Sequence, residues 1–339
     1  MDDRSTVGVL GAGAWGTALA LIAARRGHRV RLWGRKEDQI EDIQRTRRSP
    51  RFLDAEFPTD LEAVTAIEDA VTAADLILVV TASPGVRSTV RAMAPHYPMG
   101  VPIVTAAKGL EVNSRLRMSQ VIREELGDRA DVPVCALSGP NFAVEIVSGL
   151  PAGTVVAADN EEWARRVQQI LSGPVLRIYT SDDLLGVELG GALKNIYAIG
   201  TGLVHSLGLG YNLQATLITR GLAELGRLGV RMGAHPLTFA GLSGLGDLIL
   251  TCTSDLSRNR RAGLALGQGR SNDEVLAEIG TVEGLRSAHV AAELAAVHGV
   301  DMPIVSELNQ VLHHGKPPMR ALECLMERAG RTERDEEFI

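Results

Sequence analysis

The first half of the chain alternates short apolar, β-branched runs with stretches of helical spacing. This alternation predicts crossover units and a mostly parallel sheet that is covered by helices on both faces. The predicted strands are 6–10, 29–33, 76–80, 102–106, 132–137 and 153–156, with a weaker one near 63–67. The predicted helices are 14–26, 84–94, 115–126 and 161–171, and segment 47–60 is expected to be irregular.

After about residue 183 the strand pattern stops, and only helical patterns separated by glycine-rich turns follow. The predicted helices are 184–206, 213–229, 259–267, 272–279, 285–298 and 303–313. We therefore expect an α/β domain over 1–183, an all-helical domain over 184–330 and a charged tail over 331–339.

Composition and charge narrow the possible partners. Aromatic residues make up only 4% of the chain and the formal net charge is −6, which argues against nucleic acid. The longest apolar region, 184–213, is interrupted by Glu188, Lys194 and His205, so no membrane span is expected. The three cysteines are far apart and match no metal spacing. The start of the chain lacks the apolar core of a signal peptide, and we expect a cytoplasmic protein without a metal site.

A glycine-rich turn follows the first predicted strand and opens the first predicted helix. It reads Gly11-Ala12-Gly13-Ala14-Trp15-Gly16. Glycines in this context permit a tight turn and a close approach of the backbone to a pyrophosphate at the helix N-terminus. The turn therefore predicts a dinucleotide site, with a purely structural turn as the alternative.

The end of the second predicted strand bears on the choice of dinucleotide. An NAD-specific fold usually has an acidic residue there for the ribose 2′-hydroxyl, whereas this chain has Arg35 and Lys36. Two cations can neutralise a 2′-phosphate, which favours NADP(H) and leaves NAD(H) possible. Alternatively, these two residues merely start an exposed helix.

Two isolated charges in apolar sequence are candidates for the chemistry. Lys194 lies in an otherwise apolar predicted helix, and Asp247 is flanked by glycine and leucine. A buried lysine has a lowered pKa, which suits proton transfer, although a lysine that extends along the surface to solvent is more common. Opposite charges stranded in this way indicate that the two side chains meet in one site.

Two loops are expected at the ligand-binding edge of the sheet. Lys108 comes just after the predicted strand 102–106, and residues 138–142 follow the strand 132–137. Ligands of open α/β sheets bind outside the carboxyl ends of the strands. Both loops are therefore candidates for ligand contacts, although either can be an ordinary connection.

The densest basic cluster is Ser257-Arg258-Asn259-Arg260-Arg261. Such a run at the start of a helix is often only a solvated surface. Next to Asp247, however, it can hold a small anion with backbone N–H groups and the helix dipole. We expect Ser257, Arg258 and Asn259 to bind the anion, and Arg260 and Arg261 to lie on the solvated face.

Six blocks of this sequence, in this order and spacing, resemble NAD(P)-dependent glycerol-3-phosphate dehydrogenases. They are GAGAWGTALA, AAKGLE, SGPNFAVEI, ELGGALKNIYAIG, GLGDLILTCTSDLSRNRR and TVEG, and the resemblance runs from residue 5 to about residue 325. It implies a Rossmann-type N-terminal domain, a helical C-terminal domain and a homodimer. It also implies interconversion of dihydroxyacetone phosphate and sn-glycerol 3-phosphate, which supplies glycerophospholipid synthesis.

The resemblance also implies residue roles. Lys194 would donate or accept the proton. The substrate would be contacted by Lys108, Gly139, Asn141, Lys194, Asp247, Ser257, Arg258 and Asn259. The cofactor would be contacted by Gly11, Gly13, Ala14, Trp15, Gly16, Arg35, Lys36, Lys108, Ala143, Arg258, Thr281 and Glu283. The family usually has serine where this chain has Ala14 and Asn141; the first change affects a backbone contact only, and the second leaves the role of the side chain open.

Two alternative functions stay open at this level. A 6-phosphogluconate or 3-hydroxyisobutyrate type of dehydrogenase shares the layout and a helix-borne Lys-Asn pair, as in Lys194-Asn195, but does not account for GLGDL followed by SRNRR. A dinucleotide-sensing regulator without turnover would need neither Lys194 nor Asp247.

Overall fold

The computed structural model describes residues 4–49, 53–127, 132–330 and 332–333. The chain forms two compact units, Met1–Ala107 with Met118–Leu184 and Lys108–Arg117 with Leu185–Ile339. The sequence analysis places a single division at residue 183 and does not predict that residues 108–117 belong to the helical unit. Most of the expected tail 331–339 lies outside the described residues.

The first unit is built on an eight-stranded sheet. Its strands are β1 (Thr6–Leu10), β2 (Arg29–Trp33), β5 (Leu61–Val64), β6 (Leu76–Val79), β7 (Ile103–Thr105), β8 (Val134–Ser138), β9 (Ala152–Ala158) and β10 (Leu176–Ser181). They lie in the order β10-β9-β8-β7-β6-β1-β2-β5, and all neighbouring strands are parallel except β8 and β9, which confirms the expected mostly parallel sheet. The central strands β6 and β8 are buried along their whole length, because helices cover both faces.

Helices alternate with the strands of this unit, and two short ones, Ile67–Val71 and Ala143–Val147, were not predicted from the sequence. The helices are α1 (Ala14–Arg25), α2 (Glu37–Thr46), α3 (Ile67–Val71), α4 (Ser83–Met93), α5 (Met118–Leu126), α6 (Ala143–Val147) and α7 (Glu161–Leu171). The segment expected to be irregular contains a short antiparallel pair, β3 (Arg48–Ser49) and β4 (Leu53–Glu56). Strand order reverses at β1, which pairs with β2 on one side and β6 on the other. Open α/β sheets bind ligands at such a switch point.

The second unit is helical, as expected. Its helices are α8 (Leu184–Ser206), α9 (Gly210–Arg231), α10 (Pro236–Ala240), α11 (Asp247–Thr253), α12 (Arg258–Gly267), α13 (Asn272–Ile279), α14 (Glu283–His298), α15 (Pro303–His313) and α16 (Pro318–Met326). A π-helical turn, Leu242–Gly246, leads directly into α11. Within the part of the chain that the structure describes, no helix is long and apolar enough to cross a membrane.

Helix α8 is mostly apolar and contributes many residues to the core of the helical unit. Glycines allow two other segments of this unit to approach its backbone closely. A Cβ atom on Gly190 would lie 2.6 Å from the carbonyl oxygen of Ser243, and one on Gly202 would lie 2.2 Å from that of Arg260. These contacts hold the π-helical turn and α12 against α8, before and after Lys194 along the helix.

Candidate active site

The glycine-rich turn after β1 has the geometry of a dinucleotide cradle. A Cβ atom on Gly11, whose φ is +130°, would lie 2.9 Å from the carbonyl carbon of Val80, and one on Gly16 would lie 1.8 Å from the carbonyl oxygen of Gly11. These two glycines therefore make the turn and pack α1 against the sheet. A Cβ atom on Gly13 would instead meet no atom within 4 Å, so its backbone is open to a ligand.

The N-terminus of α1 can receive an anion. Gly13 precedes the helix, and no side chain among the described residues caps its first turn. The free backbone N–H groups and the helix dipole favour a pyrophosphate there, with the half-buried Ala14 and Trp15 beside it. Arg35 and Lys36 are exposed at the end of β2, and Lys36 directly precedes α2.

Three predicted ligand-binding residues, Gly139, Asn141 and Ala143, follow β8. Gly139 is buried and has a φ of +150°, while Ala143 begins α6. The side-chain oxygen of Asn141 accepts from the hydroxyl of Thr154 over 2.9 Å, and its amide N–H donates to the carbonyl oxygens of Gly139, over 3.3 Å, and Pro140, over 3.2 Å. The Asn141 side chain is thus engaged with β9.

Three predicted residues of the helical unit meet at one carboxylate. Lys194 on α8 donates its ammonium to Oδ1 of Asp247, at the start of α11. Lys108 donates its ammonium to Oδ2 of the same carboxylate over 2.7 Å. The side chain of Asp247 is only 1% exposed, and that of Lys194 6%. The two lysines share one buried counter-charge.

This arrangement prepares Lys194 for proton transfer. The pKa of its ammonium is lowered to about 8: burial has the largest effect and the charge of Lys108 acts in the same direction, whereas Asp247 opposes both by stabilising the charged form. A lysine with such a pKa exchanges a proton readily near neutral pH. Lys194 thus combines deep burial with a direct contact to a carboxylate and with a second cation on the same carboxylate.

A residue that the sequence analysis did not select completes the surroundings of Lys194. The hydroxyl of Thr251 accepts a hydrogen bond from the Lys194 ammonium over 2.6 Å and donates to the backbone carbonyl of Asp247 over 2.6 Å. Thr251 is four positions after Asp247 on α11, and therefore on the same helix face. That spacing was the available signal in the sequence.

The basic cluster after α11 divides differently from the expectation. Ser257 caps α12, because its hydroxyl accepts from the backbone N–H of Arg260 over 3.2 Å. Arg258 and Arg261 are exposed. The expectation that Arg260 lies on the solvated face is wrong: its side chain is buried and forms an ion pair with Asp255.

Asn259 is buried and both ends of its side chain are engaged. Its amide N–H donates to Oδ1 of Asn195 over 2.8 Å, and its Oδ1 accepts from the backbone N–H of Gly284 over 2.9 Å. Asn195 is adjacent to Lys194, while Gly284 follows the predicted cofactor residues Thr281 and Glu283, both half-buried. Asn259 thus connects the start of α14 with the helix that carries Lys194.

The predicted site residues therefore form two sets within the two units. The first unit holds the glycine-rich turn, Arg35, Lys36 and the residues after β8. The second brings Lys108, Lys194 and Asp247 into contact and places Asn259 beside Asn195. No group of three or more His, Cys, Asp or Glu side chains that could hold a metal occurs among the described residues.

Comparison with known proteins identifies the family. The chain matches the models of the NAD-dependent glycerol-3-phosphate dehydrogenase N-terminus, over residues 6–164, and C-terminus, over residues 183–323. It is 48% identical over 327 residues to a glycerol-3-phosphate dehydrogenase [NAD(P)+] of Moorella thermoacetica, with 96% of each chain covered. A relative of the same name from Stenotrophomonas maltophilia is 46% identical over 329 residues, again with 96% of each chain covered.

A solved structure agrees with these matches. The crystal structure of glycerol-3-phosphate dehydrogenase from Coxiella burnetii superposes with a TM-score of 0.91 at 39% identity, covering 96% of this chain and 99% of that one. Both halves of the chain are thus matched, together with the fold. The chain belongs to the NAD-dependent glycerol-3-phosphate dehydrogenase family.

Proposed function

We propose that this chain reduces dihydroxyacetone phosphate to sn-glycerol 3-phosphate, with Lys194 as the acid and base of the reaction. Its family membership makes it an NAD(P)-dependent oxidoreductase of the glycerol-3-phosphate dehydrogenase type. The observation that carries the residue assignment is the buried ammonium of Lys194, held at Asp247 beside a second lysine.

The geometry around Lys194 supports the proposed proton step. Reduction of a ketone places negative charge on the carbonyl oxygen, and a nearby ammonium can protonate it. Lys194 loses that proton readily because burial has lowered its pKa, and Asp247 and Thr251 fix the direction of its Nζ atom. In the reverse direction the neutral amine accepts the proton of the alcohol.

Lys108 has a separate role in the proposal. Its ammonium lies on the other oxygen of the Asp247 carboxylate and is partly exposed, with 19% of its side chain accessible. A fixed cation at this place stabilises the charge that develops on the substrate oxygen. The pair of lysines therefore divides the work between charge stabilisation and proton transfer.

The substrate phosphate is assigned to the start of α12. Ser257 caps this ten-residue helix and leaves the other first-turn N–H groups and the exposed Arg258 available to an anion. The Asn259 side chain is engaged elsewhere, so its contribution to phosphate binding would come from its backbone N–H. Binding energy from this non-reacting phosphate can position the carbonyl group.

The cofactor is assigned to the glycine-rich turn. When bound there, NADPH would supply the hydride for the carbonyl carbon and become NADP+, while Lys194 would supply the proton for the carbonyl oxygen. The open backbone at Gly13 and the uncapped start of α1 suit its pyrophosphate. Arg35 and Lys36 would bind a 2′-phosphate, which favours NADP(H) over NAD(H). Ala14, Trp15, Ala143, Arg258, Thr281 and Glu283 are proposed as further contacts.

The remaining features come from the family resemblance. We propose a cytoplasmic homodimer whose product supplies glycerophospholipid synthesis. Gly139 and Asn141 are proposed to line the substrate site through their backbone, since the Asn141 side chain is bonded to Thr154.

A kinetic comparison tests the function and the role of Lys194 together. Oxidation of NADPH is measured with dihydroxyacetone phosphate and, separately, with 2-oxo acids that a hydroxy-acid dehydrogenase would reduce. We expect turnover with the phosphate ester only. Lys194→Ala should lower kcat by about 10²-fold or more while NADPH still binds, because general acid–base catalysis contributes roughly this much.

The matched control is Lys316→Ala, which removes another paired lysine of the same unit. It should leave kcat unchanged. Near-normal turnover of Lys194→Ala would disprove the assignment of the acid and base, and turnover with 2-oxo acids alone would disprove the substrate class.

A further inference from the structure

The segment that carries Lys108 is a closed loop, defined here as the Lys108 loop, residues 108–117. Leu110 and Arg117 form an antiparallel bridge between its two ends. The backbone N–H of Glu111 donates to the carbonyl oxygen of Leu116 over 2.9 Å. Because of these contacts, the position of Arg117 fixes that of Leu110, which is two residues after Lys108.

The Lys108 loop is attached to α8 at both ends. The side-chain amide of Asn195 donates to the carbonyl oxygen of Lys108 over 3.3 Å. At the other end Arg117 donates to the carboxylate of Glu188 over 2.5 Å. Between them, Leu110 is 3% exposed and packs in the apolar core of the helical unit.

The ion pair between Arg117 and Glu188 is mostly buried. Its side chains are 13% and 6% exposed. Removing two charges from water is costly, so a buried ion pair contributes little net stability compared with apolar residues. What such a pair does provide is a fixed geometry, because the guanidinium and carboxylate must face each other in a defined orientation.

We infer that the Arg117–Glu188 ion pair is a positioning device for catalysis: it holds the Lys108 loop so that the Lys108 ammonium stays on Asp247, opposite Lys194. Neither Arg117 nor Glu188 needs to contact the substrate in this role. The inference rests on the proposed function, since it concerns the same reaction. It assigns a function to Glu188, six positions before Lys194 on α8.

The charges around Lys194 give this role a distinct signature. The groups that face its ammonium are Asp247 and the thiol of Cys252 on α11, and Lys108 on the loop. The positive charge of Lys108 lowers the pKa of Lys194. If the loop is released, Lys108 moves away from Asp247, its repulsion weakens and the pKa of Lys194 rises.

A double-mutant cycle tests the inference. Glu188→Gln, Lys108→Ala and the double variant are compared for kcat/KM with dihydroxyacetone phosphate and NADPH. Glu188→Gln should lower kcat/KM by about tenfold or more, since small misplacements of catalytic groups are costly. In the Lys108→Ala background the same substitution should have almost no further effect, because it acts only through Lys108.

The pH profile provides the second readout. In Glu188→Gln the alkaline limb of the reduction rate should move to higher pH, as Lys194 loses the influence of Lys108. The control Glu307→Gln breaks the Lys316–Glu307 ion pair of the same unit, which is partly buried and lies off α8. It should change neither kcat/KM nor the alkaline limb.

If Glu188→Gln unfolds, Arg117→Lys still tests the inference. It keeps a positive charge beside Glu188 but replaces the guanidinium with a shorter side chain, so the contact with the carboxylate is altered. It should show a smaller loss of the same kind and the same direction of pH shift. Additive losses in the cycle, or a wild-type rate and pH limb in Arg117→Lys, would overturn the inference while leaving the proposed function intact. A wild-type protein inactive with dihydroxyacetone phosphate would overturn both.

Discussion

Lys194 and Asp247 form an ion pair that is almost sealed from solvent, although 53 positions of sequence separate them. Only α8 and the start of α11 supply this pair. An unpaired charge at such depth would destabilise the fold, so the burial of Lys194 depends on the opposite charge of Asp247. The pair thus couples the protonation of Lys194 to the charge of Asp247.

This coupling predicts opposite pH dependences for the two directions of the reaction. Lys194 must be protonated to donate to the ketone, and its pKa is lowered to about 8. The kcat/KM for reduction should therefore be level below about pH 8 and fall above it, whereas that for oxidation should rise up to the same pH and then level off. Initial rates measured in both directions across this range check the prediction.

Asp247→Asn provides the matched variant for this profile. Asp247 raises the pKa of Lys194, so its loss should move the alkaline limb of reduction to lower pH as well as reduce the rate. A limb that stays in place, or moves to higher pH, would show that another group titrates. Thermal unfolding of the variant confirms that the comparison is made on folded protein.

Glu224 predicts a pH dependence of stability rather than of activity. It is buried on α9, where its carboxylate accepts from the backbone N–H groups of Ile304, over 2.6 Å, and Val305, over 3.1 Å. Burial raises its pKa to about 7 in spite of these bonds, which favour the charged form. Up to about pH 7 the folded protein therefore keeps a proton that the unfolded chain releases near the ordinary pKa of 4.5.

The free energy of unfolding should accordingly fall as the pH rises from about 4.5 to 7, because only the folded state is protonated in that range. The full contribution, on the order of 3 kcal/mol, is present below the unfolded pKa and is lost above the folded one. Denaturant unfolding of wild type and Glu224→Gln should show a weaker pH slope in the variant. Glu41→Gln, at an exposed position of α2, is the control, and equal slopes in wild type and Glu224→Gln would refute the prediction.

The sequence predicted the elements whose patterns are strong and local. α7, α8, α13 and α15 begin and end at the predicted residues, because their apolar positions recur with helical spacing. β10 was not predicted. It is an edge strand in which the buried residues Leu176 and Ile178 alternate with the exposed residues Arg177 and Tyr179. Its regularity depends on pairing with β9, which the local sequence does not reveal.

The segment 236–253 was missed for a different reason. Its glycines have low helix propensity and indicate turns. In the structure they allow close packing instead: a Cβ atom on Gly244 would lie 2.1 Å from the carbonyl oxygen of Phe239. Tertiary contacts thus stabilise α10, the π-helical turn and α11. Asp247, the first residue of α11, is thereby held in contact with Lys194.

The candidate site shows the same limit. Lys194 and Asp247 could be selected from sequence because each is a lone charge among apolar residues. The bonds from Asn259 to Asn195 and from Arg117 to Glu188 join residues 64 and 71 positions apart, and no local pattern in the sequence indicates either pairing. Such pairs become visible only when the helices are packed.

The exposed residues Arg35 and Lys36 predict the cofactor preference. A 2′-phosphate carries charge that these cations can neutralise, whereas the 2′-hydroxyl of NADH offers them little. Arg35→Ser/Lys36→Ser should therefore lower kcat/KM for NADPH by about tenfold or more and leave that for NADH within about twofold, as expected for the loss of charge-assisted hydrogen bonds. Initial rates with both cofactors, at saturating dihydroxyacetone phosphate, give the comparison. Arg45→Ser removes a different exposed arginine, on α2, and should affect neither cofactor; an equal loss with NADH and NADPH in the double variant would contradict a 2′-phosphate site.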